Sequence, residues 1–282
     1  MGIVTDITFY VGATLYVIAA VVAVRFLRSE KPAMLEMTER LLFAGMAFLV
    51  VSFIVRWIQW GRVPLTTMTD SLSLFAVLSG LVVVTVLRQC GMRPLLSVYL
   101  PPLTAIVLFA TATAHRNLHA APKELSGIVL IIHVGLALLA YALFFVASMT
   151  SFVYLSQAHR LKHHRAAAFA HRLPSLEELD RLLFRLVGYG YPLFVATLTL
   201  GLIWVWFDRA LLGHYWWLAP KVILSYVMAG FYAATFHLRR IGRLRGPKLA
   251  TLVFIGFTVL ILGYMVLSVM NLRWHFFWSS GT

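Results

Sequence analysis

Cysteine is nearly absent from this chain. The single Cys90 in 282 residues leaves no disulfide framework, no Cys-x-x-Cys redox pair and no Cys-x-x-Cys-His sequence for thioether attachment of a cofactor. Acid is scarce too, with ten Asp and Glu against 24 Lys and Arg. No acid–base pair or nucleophile for ordinary enzymatic catalysis stands out. No acid is expected mid-span to couple a proton or sodium ion and no inverted repeat is evident, which together disfavour a secondary transporter. Charged residues make up only 12% of the chain while apolar residues reach 61%. That leaves too little polar surface to cover a soluble globule, so lipid must solvate the protein.

What is present is a series of apolar stretches about 20 residues long, enough to cross a ~30 Å hydrocarbon core. They recur at roughly 7–27, 40–58, 70–88, 94–113, 126–156, 186–207, 219–238 and 249–271. The pattern predicts an all-α polytopic membrane protein of about eight transmembrane helices, forming one transmembrane domain over 1–282. Of the 24 basic residues, seven fall on the even-numbered loops and the tail: Arg56, Arg62, Arg116, Lys123, Arg209, Lys221 and Arg273. The other 17 fall on the odd-numbered loops, so the positive-inside rule puts both termini outside. The net charge of +14 then reads as a topology signal with attraction to anionic lipid, and a nucleic-acid partner is not expected. The first span lacks a basic leader and a small-residue cleavage site, so it is expected to stay as a helix.

Cys90 reads as a small residue in a short turn at the cytoplasmic end of the third span. The longest loop runs from about 157 to 185 and opens on His159, His163 and His164 among the basic residues Arg160, Lys162 and Arg165, with no acid nearby. That setting suits a solvated cytoplasmic face better than a metal site. Ser175-Leu176-Glu177-Glu178 is a capping box, and Leu176, Leu179, Leu183 and Leu186 recur at helical spacing. A short interfacial helix feeding the sixth span is expected there.

The histidines divide by side. His133 enters from outside with the fifth span, at a depth of roughly 10 Å on the helical rise; His275 follows the last span, also outside. An intramembrane imidazole is costly to leave unpartnered and is a functional candidate by default. Between them in sequence, an outer segment gathers Tyr215, Trp216 and Trp217 ahead of Pro220, a residue suited to a helix N-terminus. Two readings stay open: an aromatic belt at the interface, or a platform on which a flat ring stacks between two imidazole ligands. His237, at the cytoplasmic end of the seventh span before Arg239 and Arg240, divides likewise between a cation at the helix C-terminus and an inner ligand. His115, His119 and His214 are outer-loop substitutes for either external ligand.

Several stretches together carry a family resemblance. Pro64-Leu65-Thr66-Thr67-Met68-Thr69-Asp70-Ser71-Leu72 is similar to a Pro-Leu-x-Asn-x-x-Glu-Ser-Leu segment, with Thr67 for Asn and Asp70 for Glu. His133-Val134 with Tyr141-Ala142, the run from Leu176 to Gly201, Phe236-His237-Leu238-Arg239, and Asn271-Leu272 to His275 follow in matching order. Along about residues 56–278 the chain resembles the cytochrome c assembly family, haem-handling membrane proteins typified by CcsA. The family's tryptophan-rich Trp-Gly-x-x-Trp-x-Trp-Asp-Pro-Lys-Glu loop is eroded here: Gly213, Trp216, Pro220 and Lys221 remain, while Ala219 and Val222 stand where the acids would be. In this it is similar to the HemX-like and YpjD-like branch.

The resemblance implies a haem-binding, haem-relaying component of c-type cytochrome biogenesis in a bacterial inner membrane. It assigns His133 and His275 as axial ligands of the haem iron outside, His237 as an inner ligand, and Trp216 and Trp217 to the ring. Haem b would be held without covalent bonds, a partner membrane protein and apocytochrome c would complete the reaction, and the whole would serve a haem-attachment system. The alternative is a HemX-like regulator or scaffold without catalysis, linked to haem synthesis or another membrane complex.

Overall fold

The computed structural model describes residues 3–29, 31–61, 63–65, 67–113, 128–163, 174–207, 216–218 and 220–278, without the side chains of 130, 204–207, 216 and 268–278. Eight long helices carry it: α1 (Ile3–Ser29), α2 (Pro32–Trp60), α3 (Met68–Gln89), α4 (Leu96–Thr113), α5 (Ile128–Lys162), α6 (Leu176–Phe207), α7 (Pro220–Arg240) and α8 (Pro247–Trp278). Short 3₁₀ turns at Arg93–Leu95 and Trp216–Leu218 precede α4 and α7. All eight helices hold a stretch long and apolar enough to cross a bilayer, and the described residues contain no strand. The chain is a multi-pass, all-α membrane protein.

Between lipid-solvated helices the packing must come from close fit, since burial of apolar surface gives little advantage over lipid tails. Small residues allow it. A Cβ on Gly45 of α2 would lie 2.9 Å from Tyr16 Cδ2 and 3.2 Å from the Gly12 carbonyl of α1, so the two helices cross almost backbone to backbone. Tyr16 is fully buried and donates its hydroxyl to the Ala76 carbonyl of α3 at 3.0 Å. Further along, Gly190 of α6 admits the Phe144 ring of α5, and Phe144 stacks on Tyr232 of α7 with centroids 3.8 Å apart. The bundle around α5 is thus locked by α6, α8 and α3 together.

Two points differ from the expectations of the sequence. Residues 175–185 are not a separate interfacial helix, because α6 runs unbroken from Leu176 to Phe207. The capping box does form: Glu178 accepts from the Ser175 backbone N–H at 2.7 Å and Ser175 Oγ from the Glu178 N–H at 3.2 Å. Beyond it Leu179, Leu183 and Leu186 are buried against the bundle, and Asp180 accepts from Arg239 and from the Gly246 N–H at 3.1 Å. These contacts hold the first turns of α6 upright against the α7–α8 connection instead of along the headgroups.

Arg56, assigned to an outer loop, lies within α2 at 3% exposure and is ion-paired with Asp70 in the first turn of α3. At the other end of the same two helices, buried Glu39 of α2 accepts from Arg88 Nη2 of α3 at 2.5 Å and from Arg93 Nε at 2.8 Å. Acids do sit inside the bundle, then, but near helix ends and neutralised by arginine. For the fully buried Arg56–Asp70 pair desolvation leaves a weak net stabiliser, while removal of one partner leaves an uncompensated charge at a cost of about 3–5 kcal/mol.

Candidate functional site

His133 lies early in α5, where its ring is wedged against α6. Its Nδ1 is 2.9 Å from the Thr197 carbonyl oxygen. A carbonyl only accepts, so Nδ1 carries the proton and Nε2 keeps its lone pair, the arrangement by which a second-shell acceptor readies an imidazole for a metal. Room for the ring comes from Gly201, one helical turn beyond Thr197: a Cβ there would lie 2.8 Å from His133 Cε1. The Thr197 carbonyl already faces the Gly201 N–H within the helix, and its second lone pair serves the histidine.

His133 opens onto a cavity of about 170 Å³ walled by Val134, Leu138 and Tyr141 of α5, Phe75 of α3, and Ile261 and Tyr264 of α8. The Pro64–Leu72 stretch supplies the remaining wall through Leu65, Ser71 and Leu72. Its local chemistry is a helix start. Thr67 caps α3 by accepting from the Asp70 N–H at 3.2 Å, its hydroxyl donates to the Asp70 carboxylate, and Ser71 Oγ donates to the Leu65 carbonyl at 3.3 Å. Arg56 holds the same carboxylate from α2, so the capped turn and the cavity wall are fixed as one piece.

A second cavity of about 100 Å³ adjoins the first, with Tyr141 and Tyr264 lining both. On its far side stand Phe194 of α6 and Lys221, Ser225 and Met228 of α7. Lys221 is half-buried, its Nζ 5.5 Å from the centre of the Tyr264 ring. In the sequence Lys221 stood as a loop cation and as one of four retained residues of the tryptophan-rich loop, with Gly213, Trp216 and Pro220, but without a role of its own. Tyr264 carried no signal of its own, since an aromatic in an apolar helix is ordinary.

His237 is in neither cavity. It sits exposed near the C-terminal end of α7, edge-on to Tyr191 at 6.4 Å, and roughly 24 Å along the helix from Lys221 by the 1.5 Å rise. Arg239 beside it is held by Asp180 and lies over the Phe184 ring at 5.4 Å. Trp217 is 49% exposed in the turn just before α7. The side chains of Trp216 and His275 lie outside the described residues, although the backbone of His275 falls within α8. His115, His119 and His214 lie outside them altogether.

The chain is 28% identical to Protein HemX of Bacillus subtilis over 224 residues, covering 78% of this chain and 79% of that protein. To Protein HemX of Brevibacillus brevis it is 26% identical over 216 residues, 76% of this chain and 77% of the relative. It is also 26% identical to the cytochrome c biogenesis protein CcsA of Guillardia theta over 239 residues, 78% of each. The profile of the family described as Cytochrome C assembly protein matches residues 34–275, from the first turn of α2 into the last turns of α8 and across both cavities, and the chain belongs to that family.

Proposed function

We propose that this protein binds haem without covalent bonds at the His133 end of the bundle and presents it for c-type cytochrome assembly in a bacterial inner membrane. The observation that carries the reading is the state of His133: Nδ1 bonded to the Thr197 carbonyl, Nε2 left as the ligand atom, and an apolar cavity that the residue lines with Phe75, Tyr141 and Tyr264. His275 is the proposed second axial ligand, Trp216 and Trp217 pack on the ring, and His237 belongs to a separate inner site. Haem supplies the iron and the vinyl groups at which client cysteines form thioether bonds. The protein's own part is to ligate, orient and shield it. Each cavity is smaller than the roughly 300–1,000 Å³ of small-molecule sites, so holding a haem here would require the Tyr141 and Tyr264 side chains, which line both, to move apart. A partner membrane protein and apocytochrome c complete the assembly.

The test is an absorption spectrum of the detergent-purified chain produced with ample haem. A Soret band that disappears in the His133→Ala, His275→Ala double variant is expected; wild-type protein without a band under these conditions would sink the proposal. One specific observation favours a second reading, a regulator tied to haem synthesis: the acids of the family loop are replaced by Ala219 and Val222, and two relatives carry the name HemX. Deletion separates the two, since the first reading loses c-type cytochromes selectively and the second alters haem-synthesis enzymes while c-type cytochromes persist.

A further inference from the structure

We propose that Lys221 binds a carboxylate of the ligand held at His133, taking a haem propionate, and so sets which edge of the ring points toward α7. The inference rests on the reading of the His133 cavity as a haem site. Lys221 lines a cavity that shares two walls, Tyr141 and Tyr264, with the cavity of His133. A half-buried ammonium in the first turn of α7 calls for a counter-charge, and among the described residues it has none. Among the described residues, the acids inside the bundle are committed elsewhere: Asp70 to Arg56, Glu39 to Arg88 and Arg93, Asp180 to Arg239.

Two further observations point the same way. In sequence the neighbours of this lysine are Ala219, Pro220 and Val222, none of them an acid. What Lys221 has instead is the face of Tyr264, a cation–π contact that tolerates burial without neutralising the charge. Ser225 spends its hydroxyl proton on the Lys221 carbonyl at 2.8 Å, which leaves the ammonium as the donor that a carboxylate would meet there. The two adjoining cavities therefore offer His133 in one, Lys221 in the other, and Tyr141 and Tyr264 lining both. A flat apolar body with a metal at its centre and carboxylates on one edge matches that order of groups. An acyl chain with a carboxylate would satisfy Lys221 but give the imidazole nothing to ligate.

The experiment compares haem with its dimethyl ester, in which both propionates are neutral, by titration into detergent-purified wild type, Lys221→Met and Lys221→Arg, read by the Soret band and tryptophan quenching. Wild type is expected to bind haem about tenfold more tightly than the diester, the scale of one charge-assisted contact. Lys221→Met should loosen haem to the level of the diester and leave diester binding unchanged, while Lys221→Arg keeps the preference. Equal weakening of both ligands in Lys221→Met, or unchanged haem affinity, would overturn the assignment while His133-dependent binding stands. Wild type that binds neither ligand, or binds both independently of His133, brings down the haem reading and this inference together.

Discussion

Gly201 of α6 and His133 of α5 are a matched pair: a Cβ on the glycine would lie 2.8 Å from Cε1 and 3.2 Å from Nδ1 of the imidazole. The obstacle would meet the ring itself, so the ring must rotate away and its bond to the Thr197 carbonyl must stretch or break. Gly201→Ala is expected to weaken haem binding at least tenfold and broaden the Soret band, with an overpacking cost of about 1–3 kcal/mol. Gly188→Ala is the control, because its Cβ would meet only Phe236, at 3.7 Å. Equal haem spectra for the two variants would show that the ring's seat against α6 is unimportant.

The Arg56–Asp70 pair predicts a characteristic asymmetry among variants. Asp70→Ala leaves a buried guanidinium unpaired next to Trp60 and removes the second partner of the Thr67 cap. A loss of about 3–5 kcal/mol is expected. The double variant Arg56→Leu, Asp70→Leu should lose much less, as both charges leave together. Unfolding of the three proteins in detergent, followed by circular dichroism, measures this; a double variant no more stable than Asp70→Ala would argue against the pair as the origin of the loss.

Topology is a third point of test. With 17 of 24 basic residues on the odd-numbered loops, a reporter fused after residue 165 should behave as cytoplasmic and one fused after residue 212 as external. Reversal of the two would put His133 and Lys221 on the wrong side for a client outside and end the assembly proposal.

His237 stands apart from the two cavities by most of the length of α7, and its ring is exposed beside Tyr191. If it ligates haem, it does so at an independent site. His237→Ala should then remove one component of the bound-haem spectrum and leave the component sensitive to His133→Ala intact. Spectra identical to wild type would return His237 to the role of a cation at a helix C-terminus.

Much of this protein is written locally, and that part was readable. Span number follows from bilayer thickness acting on runs of apolar residues, so a third span expected at 70–88 is found at Met68–Gln89. The Ser175–Glu178 box is a matter of neighbours three residues apart and forms as expected. Where a helix stops was less legible. The first turns of α6 carry an amphipathic pattern that an interfacial helix would share, and the tertiary contacts decide against it: burial of Leu179, Leu183 and Leu186 and the anchoring of Asp180 by Arg239 and Gly246.

His133 itself could be chosen from sequence, because an imidazole inside an apolar span stands out against its surroundings by cost alone. Its usable nitrogen could not, for that is set by a carbonyl 64 residues away. Lys221, one cation among 24, acquires meaning only when α7 and α8 bring its ammonium over Tyr264, and Asp70 only when α2 delivers Arg56 to it. Sequence alone therefore determined that the chain crosses the membrane and how often, since those depend on solvation of contiguous residues. Tertiary packing alone decided which charges are neutralised, which remain open and which way the histidine faces, since in a medium without water each polar group is defined by the partner that the fold brings to it.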